Sequence, residues 1–232
     1  MSELSRRKAV LTAMAAIAAT PACARPRVSP HLAVLHQSIE HEITTLASEP
    51  RMALGRIQGL IMRAATAGAF QDWIAQPPTP EKLSLIGGGL PWRKWKVQLF
   101  LIPAGGSHPP HCHENLASCL VVANGRLRVR EFQRLREHDA HDSVMLARAF
   151  DGELGPGQAI ATTEDYRNAH WFGAMGAPVL AVNFKASGYV RPELLRLANR
   201  RYLDPTGATG EVFRAPFIDG DVARRRFART PV

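Results

Sequence analysis

The dipeptide Asn124-Gly125 constrains the fold of this chain more than any other sequence feature, because it separates two short apolar runs. Asn-Gly adopts the positive φ values that a two-residue type I′ turn requires, so the flanking runs are predicted to pair as a β-hairpin. The hairpin belongs to a series of short segments rich in β-forming residues, at 96–106, 117–132, 143–147 and 177–186. No helical pattern separates them, which predicts a mainly β domain, either a sandwich or a small barrel.

Helical patterns occur on either side of this β domain. Residues 29–48 begin with a Ser-Pro helix start and continue with apolar residues at helical spacing, and 49–68 repeat that pattern up to a glycine. These two segments predict a helical hairpin within 25–75, followed by a connecting stretch of prolines and glycines at 76–93. Residues 191–203 are predicted to form a further helix. The resulting organisation is a helical region at 25–75, a β domain at 76–190, and a helix with a tail at 191–232.

The first 24 residues have the layout of an export signal, with a basic start, a short apolar run and a closing Ala-Cys-Ala. The apolar run is too short to span a bilayer, so no stable membrane insertion is expected. The pair Arg6-Arg7 favours a twin-arginine signal, which exports folded proteins, over a Sec signal with two chance arginines. Cleavage after Ala24 is favoured over lipid attachment at Cys23. The mature protein is therefore expected to be periplasmic or secreted.

Export would place Cys112 and Cys119 in a compartment where disulfides can form. Two cysteines in the mature chain do not make a disulfide scaffold. The two could pair with each other, but small buried thiols are the favoured interpretation.

The formal charge of +9 could suit a nucleic acid or another anionic partner. The basic residues are nevertheless scattered, and only residues 224–229 form a run. We interpret the charge as a solvated surface and expect no nucleic-acid partner.

Histidines crowd the segment immediately before the predicted hairpin. His111 and His113 are two residues apart, so on a strand both side chains project from one face while Cys112 points away. Two adjacent imidazoles inside a barrel are costly to bury without partners, and a metal ion provides one. His108, in the loop before them, is expected at the pocket rim or in a structural role rather than as a fourth ligand. His138 and His141 belong to a polar loop.

The spacing of these residues resembles the first signature of the cupin family, G-x5-H-x-H-x4-E-x6-G. Gly105, His111, His113 and Gly125 occupy its positions, but Ser118 stands where many cupins have a metal-binding glutamate. The neighbouring Glu114 would face away from the site. Loss of the carboxylate with retention of both histidines resembles the thiol dioxygenases, which are the cysteine, cysteamine and plant cysteine oxidases.

A second run, "NAHWFGA", resembles the N-x-H-x-F-x-A element of the cysteamine and plant oxidases, which is followed by a proline-led strand ending in a tyrosine. The corresponding positions are Asn168, His170, Phe172, Ala174, Pro178 and Tyr189. The resemblance, which covers about residues 96–190, implies a cupin double-stranded β-helix that holds Fe2+ through His111, His113 and His170. It also implies an acid/base or oxygen-orienting role for Tyr189, with a tyrosine that caps the barrel as the alternative.

Three neutral imidazoles leave several coordination positions of iron open and keep its full charge, which attracts a thiolate and leaves room for dioxygen. The expected partners are therefore a small-molecule thiol and O2, with a sulfinate as product. A cupin oxygenase of a non-thiol substrate, and a non-catalytic cupin that binds a metal or small ligand, remain as alternatives.

Several other side chains have predicted positions. Trp171 should point outward and pack against helices. Alternation predicts a polar outer face for Arg126, Arg128 and Arg130. The basic residues Arg93, Lys94 and Lys96 could bind an acidic group at the barrel mouth, which the sequence alone does not decide. The oligomeric state is likewise open.

Overall fold

The computed structural model describes residues 30–76, 82–90, 93–189 and 200–229. The predicted export signal lies outside these residues. Helices α1 (Pro30–Glu42), α2 (Pro50–Thr66) and the short α3 (Gln71–Ala75) precede the β domain, and α4 (Gly220–Phe227) follows it. No helix in the described part of the chain is long and apolar enough to cross a membrane.

The described part of the chain contains eleven strands. They are β1 (Lys82–Leu90), β2 (Arg93–Ile102), β3 (Ser107–His113), β4 (Leu116–Asn124), β5 (Leu127–Arg134), β6 (Ser143–Leu154), β7 (Ala159–Thr162), β8 (Ala169–Ala174), β9 (Val179–Ser187), β10 (Arg200–Leu203) and β11 (Val212–Ile218). The Asn124-Gly125 turn joins β4 to β5, where Gly125 has a φ of 87°. The predicted hairpin is nevertheless wrong, because β4 pairs with β7 and β9 whereas β5 pairs with β6 and β8, so the chain crosses from one sheet to the other at this turn. A β-carbon at Gly125 would lie only 2.6 Å from the Pro178 carbonyl oxygen, so this turn requires glycine.

The strands form two antiparallel sheets. One has the order β1-β2-β9-β4-β7, and the other contains β6-β5-β8-β3, extended by β11 beside β6 and by β10, which pairs with both β11 and β3. The orders β2-β9-β4-β7 in one sheet and β3-β8-β5-β6 in the other are those of an eight-stranded jelly roll. The prediction of a mainly β protein with a double-stranded β-helix barrel, N-terminal helices and a C-terminal helix is confirmed.

The first sheet is covered on both faces. Helices α1 and α2 pack on its outer face through a layer that includes Ile39, Ile57 and Phe184, all of which are fully buried. Its inner face and the second sheet enclose a separate apolar cluster that includes Val129 and Phe172. Because helices seal the outside of the first sheet, the interior of the barrel is the space left for a site.

The prediction that 76–93 is only a connecting stretch is wrong over residues 82–90, which form β1. The glycines suggested a loop, but in the structure they lie in a strand and allow neighbouring side chains to pack closely against it. A β-carbon at Gly88 would lie 2.4 Å from Glu40 Oε1 and 3.1 Å from Trp95 Nε1. The missing side chain leaves room for Trp95 Nε1 to donate a 2.8 Å hydrogen bond to Glu40, which ties α1 to the sheet.

The predicted helix at 191–203 is wrong over Arg200–Leu203, which form β10, and the rest of it lies outside the described residues. Pairing of β10 with β3 overrides the local helical pattern. The C-terminal helix lies further along, at Gly220–Phe227 within the predicted tail. Its cap is Asp219, whose carboxylate accepts hydrogen bonds from the backbone N–H groups of Asp221 and Val222 at 2.7 and 3.2 Å.

The outward-facing residues occupy their predicted positions. Trp171 packs against Phe227 of α4 with ring centroids 5.3 Å apart. On the barrel exterior, Arg126 pairs with Glu153, and Arg128 and Arg130 both pair with Asp151. The thiols of Cys112 and Cys119 are free and buried, which confirms the favoured interpretation of the cysteines.

Candidate metal centre

The structure brings His111, His113 and His170 together, as the sequence predicted. The first two lie on β3 and the third on the adjacent antiparallel strand β8, where His170 is directly opposite His111. Nε2 of His170 lies 3.0 Å from Nε2 of His111 and 3.3 Å from Nε2 of His113. All three residues are buried, and each offers one ligand atom within 4.8 Å of the other two.

Neighbouring groups orient two of the three rings. His111 donates Nδ1–H to the carbonyl of Pro109 at 2.8 Å, which leaves a lone pair on Nε2. Nδ1 of His170 lies 3.2 Å from the Thr162 hydroxyl oxygen. Such contacts to the far nitrogen fix the tautomer and the orientation of a metal-binding imidazole.

Asn168 positions His113 through contacts with its backbone. Its fully buried amide donates to the carbonyls of His113 and Thr163 at 3.0 and 3.1 Å and accepts from the His113 N–H at 3.3 Å. The asparagine therefore joins the end of β3 to the segment that leads into β8. This contact explains what the asparagine of the "NAHWFGA" run does in this chain.

Burial keeps the three imidazoles neutral. It is the main cause that lowers their pKa values, followed by the charge of Arg200 for His111 and His170 and by His170 for His113. The pKa of His170 falls to about 3. Neutral imidazoles present lone pairs, which are what a transition metal binds.

The donor set fits a divalent transition metal. Nε2 of His170 lies close to Nε2 of both other histidines, and a cation bound among the three would accept their lone pairs. No described carboxylate belongs to the group. Glu114 instead accepts a 2.5 Å hydrogen bond from Arg134, and Ser118 at the usual glutamate position contributes only a hydroxyl.

The histidine group opens onto a cavity of about 290 Å3 between the two sheets. The described lining residues include Ser118, Thr162, Lys96, Lys185 and Arg200. His108 also lines the cavity and packs against Phe100 and Phe172, with ring centroids 5.1 Å away in each case. Its position in the wall, outside the three-histidine group, agrees with the role predicted from sequence.

Tyr189 is not brought into the cluster. It is buried in the layer between α1, α2 and the first sheet, with the Arg93 guanidinium 5.4 Å from its ring centroid, and it is not among the described residues that line the cavity. Burial raises the pKa of its hydroxyl well above the ordinary value. This environment favours the alternative role, a tyrosine that packs against the barrel. Of Arg93, Lys94 and Lys96, only Lys96 lines the cavity.

Sequence reasoning missed Thr162, Lys185 and Arg200 as residues of the site. The signal for Lys185 was a charged residue within a mostly apolar strand, which marks an inward position only after the sheet face is known. Arg200 was hidden by the helix prediction. Thr162 ends a four-residue strand that carries no pattern of its own.

We expect Thr162→Val to weaken metal binding by about ten- to a hundredfold while the fold is retained, because valine keeps the shape but removes the oxygen beside His170. Competitive titration with a chromophoric chelator measures this affinity. Thr206→Val, in the exposed 204–208 turn, is the matched control and should bind metal normally. Unchanged affinity in Thr162→Val would show that the threonine does not orient His170.

Neither family models nor curated proteins gave a match to this chain. Among solved structures, it is similar to procruciferin, an 11S globulin of Brassica napus, at 17% identity, TM-score 0.34, over 47% of this chain and 22% of that one. An uncharacterised conserved protein with a double-stranded β-helix domain from Klebsiella pneumoniae is 14% identical with a TM-score of 0.36, and the match covers 56% of this chain and 86% of that one. A Bacillus halodurans protein is 21% identical with a TM-score of 0.36, and the match covers 49% of this chain and 75% of that one.

The chain spans less than a quarter of the length of the 11S globulins that it matches. The fold class therefore rests on the strand order, which defines a cupin-type double-stranded β-helix. Within that class, this protein is a barrel with three buried histidines that could bind a metal ion.

Proposed function

We propose that this protein is a non-haem Fe(II) dioxygenase of the cupin class that oxidises a thiol to a sulfinate with O2. The observation that carries the proposal is a set of three neutral imidazoles, with no carboxylate among them, at the wall of the cavity between the two sheets. A ferrous ion bound there would supply a Lewis-acid centre that favours the thiolate and reacts with dioxygen.

The chain's own residues would then hold and enclose the reactants. Thr162 and the Pro109 carbonyl keep the rings of His170 and His111 in place, and Asn168 fixes the backbone of His113. Phe100 and Phe172, together with the ring of His108, form an apolar part of the wall that limits water near the reacting sulfur. Exclusion of water protects a reactive centre from side reactions.

The reaction balances without another reductant. A thiol and O2 give a sulfinate and a proton: the O–O bond is broken, two S–O bonds form, and the four electrons lost by sulfur reduce dioxygen completely. We further propose, from the N-terminal sequence, that the protein acts after export in a folded state.

Oxygen uptake by the anaerobically Fe2+-loaded protein, measured with a panel of small thiols, tests this function. We expect O2 consumption that matches sulfinate formation by mass spectrometry, and none with the Zn2+-loaded protein, since zinc has no redox chemistry. Uptake that yields disulfide and peroxide instead of sulfinate would contradict the proposal.

A non-catalytic cupin that binds a metal or small ligand is the second candidate. It is favoured by the position of Tyr189, which leaves the described cavity wall without the tyrosine expected to assist oxygen chemistry. Tight metal binding without O2 consumption for any thiol of the panel would support this alternative.

A further inference from the structure

We propose that the cavity takes a small organic acid with at least two anionic groups, held by Lys96, Lys185 and Arg200. This inference rests on the proposed function, because it names the substrate class of the same site: a thiol that carries two or more carboxylates or comparable acidic groups. Aminothiols, which are cationic, are excluded by the same argument.

A single row of side chains crosses the inner face of the first sheet. Lys96 of β2 is directly opposite Lys185 of β9, Lys185 is opposite Ser118 of β4, and Ser118 is opposite Thr162 of β7. Directly opposed like charges destabilise a sheet. The row thus places two ammonium groups side by side, next to the position where many cupins have a glutamate and this chain has a serine.

Arg200 contributes a third positive charge from the opposite wall. It lies on β10 directly opposite His113 of β3 and lines the same cavity as the two lysines. Its Nε atom is buried and has no hydrogen-bond partner among the described residues. A guanidinium held in this way has donors available for a carboxylate or a similar planar anion.

No described carboxylate compensates these charges. No Asp or Glu is among the described lining residues, and none of the described carboxylates forms an ion pair with Lys96, Lys185 or Arg200. On the barrel exterior, by contrast, Arg128 forms an ion pair with Asp151. Burial, together with the charges of Arg200 and Lys96, lowers the pKa of Lys185 to about 8. An anion that enters the cavity would relieve both the repulsion and the desolvation of these cations.

The arrangement requires more than one negative group. The lysine pair lies on one sheet and Arg200 on the other, so the cavity presents cationic groups from two walls. Two separated acidic groups satisfy the two walls, while the thiolate is directed to the three Nε2 atoms. A cationic aminothiol would add a further positive charge to a cavity whose described lining already has four basic residues, namely Lys82, Lys96, Lys185 and Arg200.

Calorimetric titration of the metal-free, full-length protein with succinate, and with cysteamine as the cationic counterpart, tests this inference without reliance on turnover. We expect succinate to bind and cysteamine not to bind. Lys96→Met, Lys185→Met and Arg200→Met should each weaken succinate binding by about ten- to a hundredfold, since each removes a charged hydrogen bond. Lys185→Arg, which keeps the charge, should retain most of the affinity.

Arg63→Met is the control, because it removes one positive charge from the exposed surface of α2 without touching the cavity. Thermal unfolding shows that each variant is folded, and unaltered succinate binding in the folded cavity variants would overturn the inference. Parallel oxygen-uptake assays with mercaptosuccinate separate the two proposals. Succinate binding without uptake for any thiol refutes only the dioxygenase, whereas uptake with cysteamine but not mercaptosuccinate refutes only the dianion site.

Discussion

Replacement of His170 by alanine should abolish stoichiometric binding of Fe2+ by this protein. His170 is the member of the group that is close to both others, with Nε2–Nε2 distances of 3.0 and 3.3 Å, so its loss leaves two donors on one strand. Changes in the contacts behind a metal ligand already cost about ten- to a hundredfold in affinity, and loss of the ligand itself should cost more. Metal content after anaerobic loading and desalting, measured by mass spectrometry, gives the result.

Two other histidines are suitable controls for this variant. His108→Asn alters the cavity wall but leaves all three Nε2 ligands, and His138→Ala alters an exposed turn. Both should retain one metal ion per chain. Near-normal metal content in folded His170→Ala protein would remove the basis of the metal centre, and the proposed oxygen chemistry with it.

The features that the sequence could predict are those in which neighbouring residues carry the whole signal. The Asn124-Gly125 dipeptide marks the break between β4 and β5, although these strands do not pair with each other as the hairpin prediction required. The alternation of a strand places His111 and His113 on one face regardless of what surrounds them. The pairing of these two with His170 needed more than local chemistry. It came from the resemblance of two separated runs to known signatures.

The features that the sequence concealed depend on pairing between distant segments. Residues 82–90 are a strand only because β2 lies beside them and Trp95 fills the space above Gly88. Arg200 belongs to the site because β10 pairs with β3, which contradicts the local helical pattern of residues 191–203. Local propensity is a weak predictor where tertiary pairing decides the structure.

The basic residues that line the cavity also owe their position to pairing between distant segments. Lys94 and Lys96 are two residues apart and so lie on the same face of β2. Only Lys96 lines the cavity, because Lys94 lies at the exposed end of the strand. Lys185 is significant because it is opposite Lys96 and Ser118, which are 89 and 67 positions away in sequence. The register of the sheet therefore brings these cationic side chains together at the cavity.

We expect the metal-free protein to lose stability steeply as the pH falls below about 6.5. His111, His113 and His170 are buried and His108 is half-buried. Desolvation lowers all four pKa values, that of His170 to about 3. Between these limits the unfolded chain binds protons that the folded chain does not, so the free energy of unfolding decreases with falling pH. Each such histidine contributes a slope of about 1.4 kcal/mol per pH unit, and above pH 6.5 the contribution is constant.

Urea unfolding of the metal-free protein at pH 7.5, 6.0 and 5.0 measures this dependence. His108→Gln and His113→Gln, singly and together, should flatten the slope stepwise, because glutamine takes up no proton in the unfolded state. His138→Ala should leave the slope unchanged, since that side chain is exposed in both states. An identical slope in the double variant would mean that other groups cause the acid sensitivity, and that the cluster is not held as neutral imidazoles ready to bind a cation.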